Sequence, residues 1–574
     1  MEATFAGNNM AIQDTTIMDI CQTIALEHIT LSGELGRRVD LSFTRLEGYD
    51  AALTLAGNPG WPGDREGRAI LGQVLTGQAT HRSPTHTEAL IAALPAGMLG
   101  APIDLHAIRE QQVTGNQWLL RAYCEIYAQT KRADILQRID AMIDGLYLPL
   151  RGHVATYPID PAQRGAAGDG GVYGHEGDRA VAGWVVSTDI GAVFIALDGL
   201  THAWELRPRD DLRALIDEMI ARFVELDVVT LGCQTHATLS CLRGLLRWHR
   251  AQHRPDLLAL VQRVFATYLA AASTEHHHNW NWFGRPAWTE PCAVVDSFEV
   301  ALGLWRATGD SSYLATAQEI LFSGLFRQLP NGGYTTDCCT GTGGHLHVGT
   351  SIDGTEVVWC CTMRGAEGFA RAAAHSWCPA KAGGKTQGKR VHLPWQSSSV
   401  ATLHNRDGVW RIRQESAYPQ DGASRFVVEQ APAGGVLEIA VYAGPWVDRA
   451  RATGVEAWDG DWAIVTLAAK SGAERVVDLP FTVRRQAARG VLAASHSTLR
   501  AGPVLLGLRG TGAVSSAGLS ALRGVGIAAV GTPVRTASGY RTASGEILEP
   551  IGAATWVTDG SQVRVPRQVL FANG

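Results

Sequence analysis

The sequence lacks the features that would place the protein in a membrane or on nucleic acid. No run of about 18 consecutive apolar residues occurs among its 574 residues, so no membrane-spanning helix is expected. No block of like charge occurs either, and the net charge is only −5. Nucleic acid and anionic membrane surfaces are therefore not expected as partners.

The first residues, "MEATFAGNNMAIQDTTIMDI", also lack the basic segment and apolar core of a secretory signal. Without such a signal, the ten cysteines indicate reduced thiols in a cytosol, and the predicted location is cytoplasmic. Hydrophobic residues make up 46% of the chain and charged residues 18%, as in soluble globular proteins. The length suggests two or three domains.

The first part of the chain has the apolar spacing of helices. From about residue 50 to 375, apolar residues recur at helical intervals, as in "DDLRALIDEMIARFVEL" and "PDLLALVQRVFATYLAAA". Helices of about 15 residues alternate with short loops, which is the pattern of a repeated helical hairpin. We predict an (α/α) barrel over residues 50–378, with an α-solenoid as the alternative.

After Trp377 the apolar spacing changes to alternation. The polar segment "AKAGGKTQGKR", residues 380–390, precedes runs such as "SRFVVEQ", "VLEIAVYAG" and "WAIVTLAA". Such runs predict one or more β-sandwich domains over residues 390–574. Within residues 1–49, "HITLSGELGRRVDLSFTRLEG" is interpreted as a strand and a loop that can add to the sandwich. The predicted fold class is therefore α plus β, in several domains.

Two adjacent cysteines, Cys360 and Cys361, open the helical segment "TMRGAEGFARAAA". Adjacent thiols rarely bond to each other, but both reach one metal ion where the backbone turns sharply. Glu290 and Cys292 stand two residues apart at another predicted helix start, in "WTEPCAVVDSFEVALGLW". The four residues make a Cys₃Glu set suited to tetrahedral zinc, so Zn²⁺ is the predicted cofactor. The alternative is that these cysteines pack as small hydrophobic residues in the core.

These motifs are similar to those of glycoside hydrolase family 127, the β-L-arabinofuranosidases, and its relatives. In that family a Glu-x-Cys motif precedes, by about 70 residues, a Cys-Cys pair that opens a helix. Further resemblance lies in "LWRATGDSSYLATAQEILFSGLFRQLPNGG", "RIRQESAYPQDG" and "RAGPVLLGL", so the landmarks cover about residues 110–510. The zinc motif carries the chemistry, whereas the other stretches support the fold.

The resemblance implies a retaining, exo-acting hydrolase of a furanoside such as a β-L-arabinofuranoside. Cys360 is then the zinc-bound thiolate that attacks the anomeric carbon, and Glu290, Cys292 and Cys361 complete the ligand set. Zinc deprotonates a thiol and fixes its direction, which gives a strong nucleophile at neutral pH. The alternatives are a transferase or lyase acting on carbohydrate and a non-catalytic carbohydrate-binding protein with a structural zinc.

A retaining hydrolase also needs a carboxylic acid that protonates the leaving oxygen and later activates water. The family has a Glu about 16 residues before the ligand Glu, and Glu275 stands 15 before Glu290 (290 − 275). Glu275 is therefore the predicted acid/base, and Glu176 and Asp189 are the reserve candidates. A gapped alignment places Asn279 or Trp280 there instead.

Several polar and aromatic residues are predicted to contact a sugar. The loop "EHHHNWNW" offers imidazoles for hydroxyl groups and indoles for the C–H faces of a sugar ring. His236 resembles a family histidine at a helix start. In "TGNQWLLRAYCEIY", Asn116, Gln117 or Trp118 replaces another sugar-contacting histidine of the family, which puts L-arabinofuranose itself in question. The predicted substrate-binding residues are His236, His276, His277, Trp280 and Asn116.

A second cysteine pair, Cys338 and Cys339, lies in the loop "YTTDCCTGTGG" and not at a helix start. These two residues are therefore interpreted as loop cysteines or as neighbours of the metal site, and not as its ligands. A carbohydrate is the expected partner, and the sequence leaves open whether the chain forms a homodimer.

Overall fold

The structure is a computed structural model of the chain. It describes residues 19–164, 174–290, 292–334, 339–340, 356, 358–381, 389–509, 526–536, 539–552, 556–558, 562–564 and 567–573. The α-helices are α1 Gly33–Glu47, α2 Ala51–Leu55, α3 Asp64–Thr80, α4 Thr87–Ala93, α5 Glu110–Thr130, α6 Ala133–Met142, α7 Pro161–Arg164, α8 Ala196–Leu206, α9 Asp210–Val224, α10 Thr235–Gln252, α11 Pro255–Ala271, α12 Ala293–Thr308, α13 Ser312–Glu319, α14 Met363–His375 and α15 Ile527–Val530.

Strands are few before Trp377 and frequent after it. The first strands are β1 Ile29–Leu31, β2 Ile108–Arg109, β3 Glu176–Val181, β4 Trp184–Ser187, β5 Trp280–Trp282, β6 Arg285–Thr289, β7 Cys339–Thr340 and β8 Cys378–Pro379. Those that follow are β9 Arg390–Leu393, β10 Ser399–Asn405, β11 Gly408–Ser416, β12 Ala423–Gln430, β13 Val436–Tyr442, β14 Ala457–Asp459, β15 Trp462–Ala468, β16 Glu474–Asp478, β17 Val483–Ala487, β18 His496–Ala501, β19 Val504–Arg509, β20 Val534–Thr536, β21 Gly539–Arg541, β22 Ile547–Pro550, β23 Trp556–Thr558, β24 Gln562–Arg564, β25 Arg567–Gln568 and β26 Phe571–Ala572.

Six helices pack side by side in a closed order, which we call the helix ring. The contacts run from α3 to α5, α8, α10, α12 and α14, and from α14 back to α3. Four ring helices also pack against the helix that follows them in sequence: α6 on α5, α9 on α8, α11 on α10 and α13 on α12. This is the repeated helical hairpin that the apolar spacing predicts.

Glycine allows α3 and α5 to approach each other closely. A Cβ atom on Gly67 would lie 2.1 Å from the backbone nitrogen of Leu119 on α5. Gly63, just before α3, has a φ angle of 88°, and its Cβ would lie 2.9 Å from Asn116 Cα. Since a larger side chain fits at neither position, these glycines fix the distance between the two helices.

The strands form several sheets, so the predicted mixture of a helical region followed by sheets is confirmed. One five-stranded sheet has the order β1-β10-β11-β12-β16, and another has the order β14-β15-β13-β9-β8. A nine-stranded sheet contains strands β17 to β22, together with β25, β26 and β7. The division at residues 49, 378 and 390 stays a prediction, and residues 382–388 of the polar segment lie outside the described residues.

The N-terminal segment differs in part from the sequence interpretation. Strand β1 pairs antiparallel with β10, with Ile29 opposite Ala401, so it does add to a sheet. The expected loop after it is wrong, because residues 33–47 form α1, which packs on α3 and α14. Leu35, Val39 and Phe43 recur every four residues and are buried, which is helical spacing.

Among the described residues, no helix is both long and apolar enough to cross a membrane.

Candidate active site

The four predicted metal ligands come together at the N-terminal ends of two ring helices. Cys292 directly precedes α12, and Cys360 and Cys361 lie in the π-helical turn Val358–Thr362 that leads into α14. One ligand atom from each of Glu290, Cys292, Cys360 and Cys361 lies within 4.8 Å of the other three. Cys361 Sγ is 3.3 Å from Cys292 Sγ, 3.4 Å from Cys360 Sγ and 3.8 Å from Glu290 Oε1.

The donor set and its burial fit a metal ion of the zinc type. Cys292 and Cys361 are buried and Cys360 is half-buried. Glu290 Oε2 is buried and has no hydrogen-bond partner among the described residues. A buried carboxylate oxygen without a partner is costly unless a ligand engages it. Three thiols and one carboxylate are donors of the kind and number that zinc takes.

The three thiols of the cluster differ in acidity. Burial raises the pKa of Cys292 and of Cys361 well above the ordinary value. Hydrogen bonding from these two thiols, with help from the charge of Arg68, holds the pKa of Cys360 well below it. Burial raises the pKa of Glu290 to about 6. Cys360 is therefore the thiol that ionises first, and it is also the most exposed of the three.

Arg68, on α3, faces the cluster and is held by two neighbours. Its Nε donates to Asp64 Oδ1 over 2.8 Å, and its Nη2 donates to His236 Nε2 over 3.3 Å. Burial alone would lower the pKa of Arg68, yet the charges of Asp64, Cys292 and Cys360 raise it. The guanidinium group is thus fixed as a positive charge beside the thiols.

His236 lies at the start of α10, as the sequence predicts, and both of its ring nitrogens are engaged. Because an ionised carboxylate only accepts and arginine only donates, Nδ1 donates to Asp296 Oδ2 over 2.8 Å and Nε2 accepts from Arg68. Asp296 also accepts from Arg243 and Arg364. These contacts hold the His236 ring and join α10, α12 and α14 behind the cluster.

Trp118, on α5, forms an aromatic platform under these groups. The Arg68 and Arg364 guanidinium carbons lie 4.1 Å and 4.5 Å from the centre of its ring. The His236 ring stacks on it at 5.5 Å with an interplanar angle of 5°. This stacking keeps two cations and one imidazole in place at the N-terminal end of the helix ring.

Several buried polar atoms of the helix ring and of the segments beside it lack hydrogen-bond partners among the residues that the structure describes. They are Arg68 Nη1, Gln117 Oε1 and Nε2, Trp118 Nε1, Asp189 Oδ1 and Asn279 Oδ1. Native proteins leave few buried polar atoms unpaired, so these atoms are available to a polar ligand or to water. Both hydrogen-bond donors and acceptors are present in the set.

The other predicted sugar-binding residues have protein partners of their own. Asn116 Oδ1 accepts from Leu99 N over 2.7 Å, and its Nδ2 donates to the carbonyls of Leu99 and Gln112. The amide group of Asn116 therefore holds the chain before α5. This contact gives it a structural role, and its binding to a sugar stays a prediction.

In the segment with the three histidines, the partners that the structure shows for His276 and His277 lie outside the thiol cluster. His277 Nε2 lies 3.2 Å from Glu319 Oε2, and burial lowers the pKa of His277 to about 3. The ring of His276 packs 4.6 Å from that of His278. Trp280 is half-buried in strand β5, in a segment that the sequence suggested was a loop. Sugar contacts by His276, His277 and Trp280 stay predictions.

Two of the three candidate acids have charged or backbone partners. Glu275 Oε1 accepts from the backbone N–H of Arg489 over 2.6 Å. Glu176 pairs with Arg109, and its Oε1 accepts from the backbone N–H of Gln111 over 3.1 Å. The third candidate, Asp189, is buried, and burial raises its pKa to about 7.

Of the second cysteine pair, Cys338 lies outside the described residues. Cys339 belongs to β7, which pairs parallel with β25, and so lies in a strand and not at a helix start.

Sequence reasoning missed Asp64, Arg68, Asp296 and Arg364. Asp64 and Arg68 are four apart on α3, which resembles an ordinary surface ion pair on a helix. Their position about 290 residues before Cys360 in sequence hides their closeness to it. A buried pair of this kind is recognised only once the helices are assembled.

Several solved structures match this chain over nearly its whole length. A solved structure described as a glycoside hydrolase matches with a TM-score of 0.65 and 13% identity, over 97% of this chain and 99% of its own. A GH127 β-arabinofuranosidase matches with 0.62 and 11%, over 97% and 98%. The GH127 β-L-arabinofuranosidase from Geobacillus stearothermophilus T6 matches with 0.60 and 12%, over 95% and 100%.

No family model matches the sequence, and no curated protein matches it. The predicted resemblance is therefore confirmed by structure, at sequence identities of 11–13%. The chain has the fold of the GH127 β-arabinofuranosidases.

Proposed function

We propose that the protein is a retaining, exo-acting glycoside hydrolase that cleaves a furanoside such as a β-L-arabinofuranoside. The observation that carries this proposal is the convergence of three thiols and one carboxylate within 4.8 Å, in a fold shared with GH127 structures. Cys360 is the nucleophile, since it is the most acidic and the most exposed of the three thiols. We also propose that the helix ring is the (α/α) barrel of the sequence prediction.

Zinc is the proposed cofactor, with Glu290, Cys292, Cys360 and Cys361 as its ligands. When bound there, it keeps its thiol ligands deprotonated and fixes their direction. The protein's own groups support the same state: the Arg68 guanidinium faces Cys360, and Asp64 holds that guanidinium in place. The thiolate is thereby stabilised by a positive charge that is fixed in place.

In the proposed reaction, Cys360 forms a covalent bond with the anomeric carbon of the terminal sugar as the bond to the leaving oxygen breaks. Water then displaces the sulfur, so the anomeric configuration is retained over two inversions. Arg68 Nη1, Gln117 and Trp118 Nε1 supply donors and acceptors for the sugar hydroxyls. A carbohydrate satisfies such a mixed set better than an apolar ligand does, because each of its hydroxyls both donates and accepts.

The proposal is tested with 4-nitrophenyl furanosides and pyranosides and the zinc-loaded protein. We expect hydrolysis of a furanoside, with the sugar first released in the configuration of the substrate, as read by proton NMR. Cys360→Ala removes turnover, whereas the control Cys241→Ala, at another buried cysteine, leaves it. Release of the inverted sugar, or full activity of Cys360→Ala, would contradict the proposed mechanism.

A further inference from the structure

Asp189 is a buried carboxyl group whose own contacts leave part of it unsatisfied. It follows strand β4 closely, is 5% exposed, and its Oδ1 has no hydrogen-bond partner among the described residues. Gly174 and Asn281 lie beside the carboxyl group, and both lower its pKa against the larger effect of burial. A buried carboxylate oxygen without a partner is costly unless a ligand or water engages it, so Oδ1 is a candidate contact for a ligand.

The charged and titratable groups that face Asp189 do not neutralise it. Arg164 is the nearby cation, but its Nη1 already donates to Glu110 Oε2 over 3.0 Å. Glu110 also accepts from the Tyr157 hydroxyl over 2.6 Å. Burial and the charge of Glu110 together raise the pKa of Asp189 to about 7. A carboxyl group that holds its proton near neutral pH is suited to general acid catalysis.

Two segments of the chain have residues near Asp189 and residues near the thiol cluster. In the first, Asn281 is near enough to Asp189 to lower its pKa, and the backbone carbonyl of Asn279 accepts from Glu290 N over 3.1 Å. Only Trp280 separates Asn279 from Asn281 in the chain. The carboxyl group and a proposed metal ligand therefore border the same short stretch of strand β5 and the residue before it.

The second segment runs from Trp61 to Asp64. The Trp61 indole donates to the carbonyl of Gly174, which lies against Asp189, over 3.3 Å. The backbone N–H of Asp64 donates to Trp61 O over 3.1 Å. Burial raises the pKa of Asp64 and the charge of Arg68 lowers it. The charge of a Cys360 thiolate raises it further. The segment from Trp61 to Asp64 therefore has Gly174, the neighbour of Asp189, at one end and the electrostatic influence of Cys360 at the other.

Glu275, the acid that the sequence predicts, contacts two arginines in and beside the nine-stranded sheet. Its Oε1 accepts from Arg489 N over 2.6 Å, and its backbone carbonyl accepts from Arg500 Nη2 over 2.9 Å. Arg500 belongs to β18, and Arg489 lies between β17 and β18. The carboxylate of Glu275 thus fastens its loop to the nine-stranded sheet.

We propose that Asp189, and not Glu275, is the acid/base of the hydrolysis proposed above, on which this inference rests. In the first step the bond from Cys360 sulfur to the anomeric carbon forms, the bond to the leaving oxygen breaks, and the Asp189 proton passes to that oxygen. In the second step water oxygen bonds to the anomeric carbon, the carbon–sulfur bond breaks, and the water proton passes to Asp189. The net change is the addition of one water across the glycosidic bond.

Matched amide variants, Asp189→Asn and Glu275→Gln, test this assignment with two substrates. 4-Nitrophenyl β-L-arabinofuranoside has a leaving group that needs little protonation, and the methyl glycoside has one that needs it fully. For Asp189→Asn we expect kcat/KM to fall by about 10³-fold on the methyl glycoside and by less than about 10-fold on the nitrophenyl glycoside. Azide attacks the glycosyl-enzyme without the help of a base. It should therefore restore the turnover of Asp189→Asn on the nitrophenyl glycoside and give a glycosyl azide.

The pH dependence of the unaltered protein gives a second measurement that needs no variant. A general acid must be protonated, so kcat/KM on the methyl glycoside should fall as pH rises through about 7. Asp189→Asn should lack this limb. Glu275→Gln should keep this limb. It should change kcat/KM on both substrates by the same factor, and azide should not alter its turnover.

Three results would overturn the assignment in different ways. If Asp189→Asn lowers kcat/KM equally on both substrates and kcat/KM still falls as pH rises through about 7, Asp189 binds substrate without transferring the proton. If Glu275→Gln shows the leaving-group dependence and the azide response, Glu275 is the acid. If the unaltered, zinc-loaded protein hydrolyses neither furanoside, the proposed function fails, and this inference fails with it. Thermal unfolding of both variants separates these results from a loss of folding.

Discussion

At the scale of single residues, the two adjacent cysteines have different surroundings and should have different roles. Cys361 lies in the middle of the cluster, 3.3 Å from Cys292 Sγ and 3.4 Å from Cys360 Sγ, and is 2% exposed. Cys360 is half-buried, and the positive charge of Arg68 favours its thiolate form. A central, buried thiol suits a ligand that holds a metal, and an accessible one suits a nucleophile.

Serine substitutions should separate these two roles. We expect Cys360→Ser to lower kcat by at least about 10³-fold while most zinc remains, because a serine hydroxyl is a poor nucleophile at neutral pH. Cys361→Ser should weaken zinc binding by more than about 100-fold, and excess zinc should restore part of the activity. Elemental analysis and rates measured against added zinc check both. Equal loss of zinc in the two variants would contradict the distinction.

Residue types and spacing sufficed to predict the cysteine cluster, but not what surrounds it. Glu290 with Cys292, and Cys360 with Cys361, are each close in sequence and begin helices, so local pattern brings each pair to one point. Arg68 reaches the cluster only because α3 packs between α5 and α14. Such a contact depends on the assembled helices and leaves no sign in local spacing.

At the scale of elements, the close approach of α3 to α5 places Arg68 on Trp118. We expect Gly67→Ala to destabilise the protein by more than about 3 kcal/mol, because its Cβ would overlap the backbone of Leu119. Gly145→Ala is the matched control, since its Cβ meets nothing within 4 Å, and it should change stability by less than about 0.5 kcal/mol. Urea unfolding of both variants measures this. Equal stability would show that α3 shifts freely on α5.

The same scale explains which elements the sequence predicted. Long helices with regular apolar spacing, such as α9 and α11, were evident from the pattern, whereas short strands were not. Strand β5 contains only Trp280–Trp282, and its partner β6 follows after two residues. A stretch that short carries too few alternating residues to be told from a loop.

At the scale of the whole molecule, an ionic cluster joins the helical part to the nine-stranded sheet. Glu319, at the end of α13, pairs with Arg484 over 2.6 Å, and its other oxygen lies 3.8 Å from Arg500. Burial would raise the pKa of Glu319, yet Arg500, His277 and Arg484 hold it well below its ordinary value. The carboxylate also contacts His277, two residues before Asn279 in the chain.

This lowered pKa predicts how stability depends on pH. A carboxyl group with a depressed folded-state pKa contributes stability above its unfolded value of about 4.3, and the contribution is lost as pH falls below that. We expect Glu319→Gln to lower the free energy of unfolding by about 3 kcal/mol at pH 7, and by less as the pH falls below about 4. Thermal unfolding of both proteins from pH 7 to pH 3 tests this. A difference that does not vary with pH would contradict it.

The central claim, that Cys360 is the nucleophile of a glycoside hydrolase, is tested most directly by covalent labelling. The zinc-loaded protein is incubated with an epoxide that mimics a furanose ring, digested, and mapped by fragmentation mass spectrometry. The account predicts one label per chain, on Cys360 Sγ, with loss of turnover in proportion to labelling and protection by substrate. A label on Cys361, Cys338 or Cys339, or inactivation without any label on Cys360, would contradict it.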